Sequence, residues 1–131
     1  MKPINLLGAI AVLVMAATPA CAANWVYVDT TGSGADIYYD ADTIARSGNQ
    51  VMVWEKFDHS RDKKVKYRQQ TVRSRYDCAE RTRTTLHVII YYPDGTSKSA
   101  TWEAYEQEAE LIAPDTLGEG KLEAICAATA P

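Results

Sequence analysis

Scarcity defines this chain before any motif does. It holds two histidines, one phenylalanine and three cysteines. A metal centre needs three or four suitably spaced ligands, and His59 and His87 have no matching partners, so no metal site and no cofactor are expected. The chain has no Gly-x-Ser-x-Gly elbow, no His-Glu-x-x-His helix and no glycine-rich phosphate loop. Without a catalytic constellation of these kinds, the residues do not point to an enzyme. Basic excess is missing as well: 14 Lys and Arg face 17 Asp and Glu. A weakly acidic total argues against a general nucleic-acid binder.

What the chain does have, at its start, is the pattern of an export signal. Lys2 supplies the positive charge, Ile4 to Ala17 form an apolar run broken only by Asn5 and Gly8, and Thr18-Pro19 ends it. Ala20-Cys21-Ala22-Ala23 then offers the small residues a signal peptidase needs, with cleavage after Ala22 or after Ala23. The run falls short of the roughly 20 residues that span a bilayer, and no later segment is long or apolar enough to do so. A lipoprotein signal would place a large aliphatic residue three before Cys21, where Thr18 stands, so anchoring through Cys21 is not expected. Residues 1–23 are thus expected to be a cleavable signal peptide and residues 24–131 one mature domain, destined for the periplasm or the outer surface. Removing Lys2 takes the net charge to −4.

Cleavage also removes Cys21 and leaves Cys78 and Cys126. An even pair in a small exported domain is best read as a disulfide. Closing a loop of that length is worth about 4 kcal/mol in the chain-entropy picture, a large share of the ~5–15 kcal/mol that holds a small domain together.

The mature part alternates with period two, the mark of strands with one buried face. Trp25 to Val28, Asp36 to Tyr39 and Gln50 to Phe57 read as strands, the last with Met52 and Trp54 on one face and Val51, Val53 and Phe57 on the other. Asp40 to Thr43 reads as a tight turn or one helical turn. Val65 to Cys78 reads as a long strand with Val72, Ser74, Tyr76 and Cys78 buried, and Gln69, Thr71, Arg73 and Arg75 facing solvent. Glu80 to Tyr92 follows, with Leu86, Val88, Ile90 and Tyr92 expected on the buried side, and Thr96 to Trp102 leads back. Glu103 to Ala113 reads as loop or a fragment of helix. Thr116 and Glu119 have capping-box spacing, and the helix they open would turn Leu122, Ile125 and Cys126 toward the sheet. Gly118 and Gly120 weaken it. The expected fold is α+β: an antiparallel sheet of about five or six strands with a C-terminal helix on one face.

Several landmarks occur in a recognisable order: Trp25-Val26, Tyr38-Tyr39-Asp40, Thr43-Ile44, Arg46, Val51 to Trp54, Tyr76-Asp77-Cys78-Ala79-Glu80-Arg81, and Cys126 in a terminal helix. In these the chain resembles the surface-adhesin protein E-like domain of exported proteins in Gram-negative bacteria, over residues 24–127. The resemblance implies the same sheet and helix, tied by a Cys78–Cys126 bond. The family's namesake is an adhesin for host matrix and plasma glycoproteins, so the resemblance also implies a non-enzymatic binding module. A periplasmic structural or accessory protein is the alternative.

Charge is unevenly placed. Nine basic residues fall within 61–83, and eight acids within 94–123. Arg73, Arg75, Arg81, Arg83, Lys64 and Lys66 are therefore the candidates for a binding face that meets an acidic protein or an anionic glycan at the envelope or on a host surface. The competing reading is a solvated β-face balanced across strands by the acidic segment. Tyr38, Tyr39, Trp54, Tyr67, Tyr91, Tyr92 and Trp102 could line a groove or form core. Exposed sheet edges leave room for a homodimer by strand pairing.

Export is expected to cleave after Ala22 or Ala23, so N-terminal sequencing of the exported chain should begin at Ala23 or Asn24. A mature chain that retains Met1, or that begins at a lipid-modified Cys21, would overturn the assignment.

Overall fold

The computed structural model describes residues 22–128. The expected signal segment, Cys21 included, lies outside the described residues apart from Ala22 and Ala23. Eight strands and one helix follow in order: β1 (Trp25–Thr30), β2 (Asp36–Asp40), β3 (Ala45–Ser47), β4 (Gln50–Asp58), β5 (Gln69–Asp77), β6 (Thr82–Tyr91), β7 (Ser97–Thr101), β8 (Ala109–Leu111) and α1 (Leu117–Ala127). All pairings are antiparallel, in the order β1-β2-β4-β5-β6-β7.

The expected five or six strands are the rows of this sheet, and the two additional strands come from rows that break. β2 pairs with the far half of β4, then a 3-10 turn at Ala41–Thr43 shifts the chain and β3 pairs with Val51 and its neighbours. Asp40 drives that break, because its carboxylate accepts the Asp42 N–H at 3.1 Å. On the other side, β7 pairs with His87–Tyr91 and β8 with Thr82–Thr84. Between them Glu103 to Gln107 makes one capped 3-10 turn, so the segment expected as loop or helix fragment ends in a short strand.

Period two holds well in β4 and β5. Val51, Val53, Val72, Ser74 and Tyr76 are buried on one face, where Val51 opposes Tyr76 and Val53 opposes Ser74. Leu122 and Ile125 of α1 close this core together with Ile44. Thr116 caps the helix by accepting the Glu119 N–H at 3.3 Å, while the Glu119 carboxylate accepts from Asp115 rather than from Thr116. The disulfide joins Cys78, just past β5, to Cys126 in the last turn of α1, with Cα atoms 5.9 Å apart. It fastens a helix of only 11 residues that contains two glycines, and such a helix is marginal alone.

The expectation fails in β6. Arg73 opposes His87, but Ser74 opposes Thr85, so Leu86 is an extra residue in a β-bulge. Beyond the bulge Val88 shares the core face with Val72, and before it Arg83 shares that face with Tyr76. An alternation carried straight through from Tyr92 would have turned Arg83 outward. Leu86, Val88 and Ile90 are only half-buried.

At the centre of the core face stands a carboxylate. Glu55 is fully buried, and it accepts hydrogen bonds from Ser74, Tyr76, Lys121 at 2.8 Å and Arg83 at 2.8 and 3.2 Å. Burial alone would raise its pKa, but the charges of Lys121 and Arg83, with the hydrogen bonds from Lys121 and Ser74, hold it down to about 2. Lys121 also lies 4.7 Å from the Phe57 ring centroid, and its burial pulls its own pKa down. The Tyr76 hydroxyl is pushed well up by the same burial and by the carboxylate beside it.

Because the carboxyl titrates lower in the folded than in the unfolded chain, ionised Glu55 favours the fold above pH 4.5, and that contribution is lost as pH falls toward 2. It amounts to about 3 kcal/mol between pH 6 and pH 2. Glu55→Gln should therefore be less stable at pH 6 yet lose about 3 kcal/mol less than the wild type on acidification, measured by urea unfolding. Parallel acid limbs for the two proteins would show that Glu55 is not the group responsible.

Candidate functional site

The helix covers one face of the sheet and leaves the other open, and the six basic candidates do not all belong to the open face. Arg83 points into the core and is held by Glu55. Arg81, at the β5–β6 turn with φ of 54°, pairs with Glu119 of the helix at 2.7 Å. Lys64 and Lys66 are exposed in the connection between β4 and β5. That connection is pinned by Asp62, which accepts the Lys64 backbone N–H at 3.0 Å and meets Ser33 and His59 with its other oxygen. The bond from the Lys64 backbone, then that to His59, holds the Asp62 carboxyl below its ordinary range. Gly34 at φ of +102° lets the β1–β2 turn close on this connection, since a Cβ there would lie 3.1 Å from the Arg61 carbonyl oxygen.

Arg73 and Arg75 remain, and they share the open face. Arg73 stands in a row with Trp54, His87 and Thr101, and Arg75 in the next with Met52, Thr84 and Ala109. The Trp54 and His87 rings meet at 75° with centroids 5.8 Å apart, and His87 Nδ1 lies 2.6 Å from Thr101 Oγ1. Arg75 donates to the Gln107 side-chain carbonyl at 3.2 Å, while Arg73 reaches only the Met52 sulfur, at 3.9 Å. Among the described residues neither guanidinium has a carboxylate partner, whereas Arg61, Arg81 and Arg83 each do.

A cavity of about 500 Å³ opens here between Trp54, the two arginines and the segment carrying Trp102 and Gln107. Past Arg75 it adjoins a polar cavity of about 290 Å³ whose walls include Gln50, Asp77 and Thr82. Toward the opposite edge the open face continues as aromatic surface, where the Lys56 ammonium lies 4.7 Å from the Trp25 ring centroid and 4.4 Å from that of Tyr38.

The aromatic candidates divide in the same way. Trp54, Trp102 and Tyr38 belong to the open face or its rim, and Tyr39 packs against the core. Tyr67 meets His59 edge-on at 4.9 Å, while Tyr91 is half-buried in β6 and Tyr92 lies beside Lys98. No group of three or more His, Cys, Asp or Glu placed to hold a metal occurs among the described residues, and none of their helices is long and apolar enough to cross a membrane.

Sequence reasoning missed Glu55, Lys121 and Gln107. The first had a signal: Val51, Val53, Glu55 and Phe57 occupy one face at period two, which places a charge among apolar neighbours and calls for a partner. Gln107 had none, because its position depends on where the chain returns after β7.

Comparison with known proteins agrees with this architecture. The family model described as surface-adhesin protein E matches residues 25–127. Two structures of protein E from Haemophilus influenzae superimpose with TM-scores of 0.57 and 0.55, each at 16% identity. They cover 82% and 85% of this chain and 91% and 90% of their own. Protein E from non-typeable Haemophilus influenzae gives a TM-score of 0.55 at 14% identity, covering 84% of this chain and 80% of its own. No curated protein matches the sequence.

The two classes of arginine should separate on substitution. Arg73→Gln with Arg75→Gln should leave stability within about 0.5 kcal/mol of wild type, because their one bond to an oxygen is the neutral contact from Arg75 to Gln107 and neither pairs with a buried charge. Arg83→Gln should lose about 2 kcal/mol or more, because it strips a buried carboxylate of one cation. Equal effects in urea unfolding at pH 7 would contradict this division.

Proposed function

The chain belongs to the surface-adhesin protein E family, and from that membership we propose that it is an exported, non-enzymatic binding module that contacts a partner at the bacterial cell envelope through its open sheet face. The observation that carries this reading is the contrast between the two faces. One is closed by α1 and the Glu55 ion cluster. The other presents Arg73 and Arg75 without carboxylate partners beside a concave, aromatic-walled site. Arg81 and Arg83, by contrast, are each held by a glutamate. The disulfide supports the same reading, since it secures the terminal helix in an oxidising compartment.

The export pattern at residues 1–23 delivers the domain across the inner membrane, and the family assignment favours the outer surface as its destination. Protease added to intact cells should then remove the domain from otherwise undamaged envelopes. Protection until the outer membrane is broken would assign it instead to the periplasm as an accessory protein.

A further inference from the structure

We propose that the cavity on the open face binds an acidic oligosaccharide, with a sugar ring laid against the Trp54 indole and its carboxylate or sulfate groups held by Arg73 and Arg75. This rests on the open face being the contact surface and narrows it to one class of ligand. Four observations converge on that class.

The site is concave and of ligand size, about 500 Å³. Its two cations are planar guanidiniums that meet carboxylate or sulfate oxygens in pairs, and among the described residues neither has a carboxylate partner. They are two residues apart on one strand, about 7 Å between Cα atoms, so anionic groups on neighbouring sugars can be met together. The other polar side chains of this cavity include Thr101 and Gln107, which both donate and accept, as sugar hydroxyls require, whereas Asp77 and Glu80 line the adjoining cavity beyond Arg75.

The same geometry disfavours a peptide. The cavity lies over β4, β5 and β6, whose backbone groups are already paired with one another, so no strand can be added there. An acidic polypeptide would meet the arginines alone and gain little from the Trp54 ring.

The test uses the mature, disulfide-bonded protein and four probes followed by tryptophan fluorescence and calorimetry: a heparin hexasaccharide, a galacturonate hexamer, a neutral maltohexaose and polyglutamate. At least one acidic hexamer should bind about tenfold more tightly than maltohexaose or polyglutamate. Arg73→Gln with Arg75→Gln should weaken it by about tenfold or more, and Trp54→Leu by a similar factor. Lys63→Gln with Lys66→Gln removes the same charge from the exposed β4–β5 connection and should change affinity less than about twofold. A preference for the sulfated hexamer marks a host-type glycosaminoglycan as the source, and a preference for the carboxylated one marks an envelope polysaccharide.

Equal weakening by the two double variants would reduce the effect to general charge and overturn the proposal. So would tighter binding of polyglutamate, or an acidic hexamer that binds the Arg73/Arg75 variant undiminished. If no hexamer binds while the domain is still cleaved by protease on intact cells, the ligand class is wrong and the surface-module reading survives. If the domain is protected on intact cells but the Arg73/Arg75 variant loses hexamer binding, the site is right and its location is wrong.

Discussion

A buried carboxylate cannot stay ionised without cations, and much of this domain is arranged around that requirement. Glu55 occupies the middle of the core face, where its neighbours in the same strand are valine and phenylalanine. Lys121 must therefore come down from the helix, and Arg83 must come in from β6. The first demand fixes how α1 lies on the sheet, because the ammonium can reach Glu55 only when Leu122 and Ile125 are seated over Val51 and Tyr76. The second is met through the bulge at Leu86, which reverses the faces of β6 and turns Arg83 inward. Ion clusters of this kind add little net stability over apolar packing. What this one does is oppose other placements, since a shifted helix would leave a charge buried alone.

The disulfide complements the cluster rather than repeating it. Glu55–Lys121 holds the middle of α1, and Cys78–Cys126 holds its end. The two glycines in the helix are tolerable because neither attachment relies on the helix being stable alone. On the opposite face nothing comparable is needed, and Arg73 and Arg75 stand there without carboxylate partners among the described residues.

The parts of this architecture that depend on local alternation were readable from the sequence. Val51, Val53, Val72, Ser74 and Tyr76 fall on the core face as period two requires, and the turn at Asp40 is written in its side chain. The cysteine pairing followed from compartment and count. Three features resisted for distinct reasons. A β-bulge is one residue of insertion and leaves no mark on composition, so Arg83 appeared to belong with Arg73 and Arg75. The short strands β3 and β8 are held by pairing alone, with exposed side chains that carry no pattern. Gln107 acquires its place beside Arg75 only through a long-range return of the chain. The candidate site was accordingly half legible: its arginines and its tryptophans were visible, but which of them share a face was not.

One consequence of the Cys78–Cys126 bond concerns mechanics. The bond spans 48 residues of sequence and short-circuits β6, β7, β8 and nearly all of α1. Tension entering at the C-terminal end reaches Cys126, crosses directly to Cys78, and arrives in β5 three residues from Arg75. The covalent path itself does not run through the bypassed loop. A ligand held by Arg73 and Arg75, as proposed, would be connected to the C-terminal end by a short covalent tether, with shear on it carried by β5 and its ladders to β4 and β6.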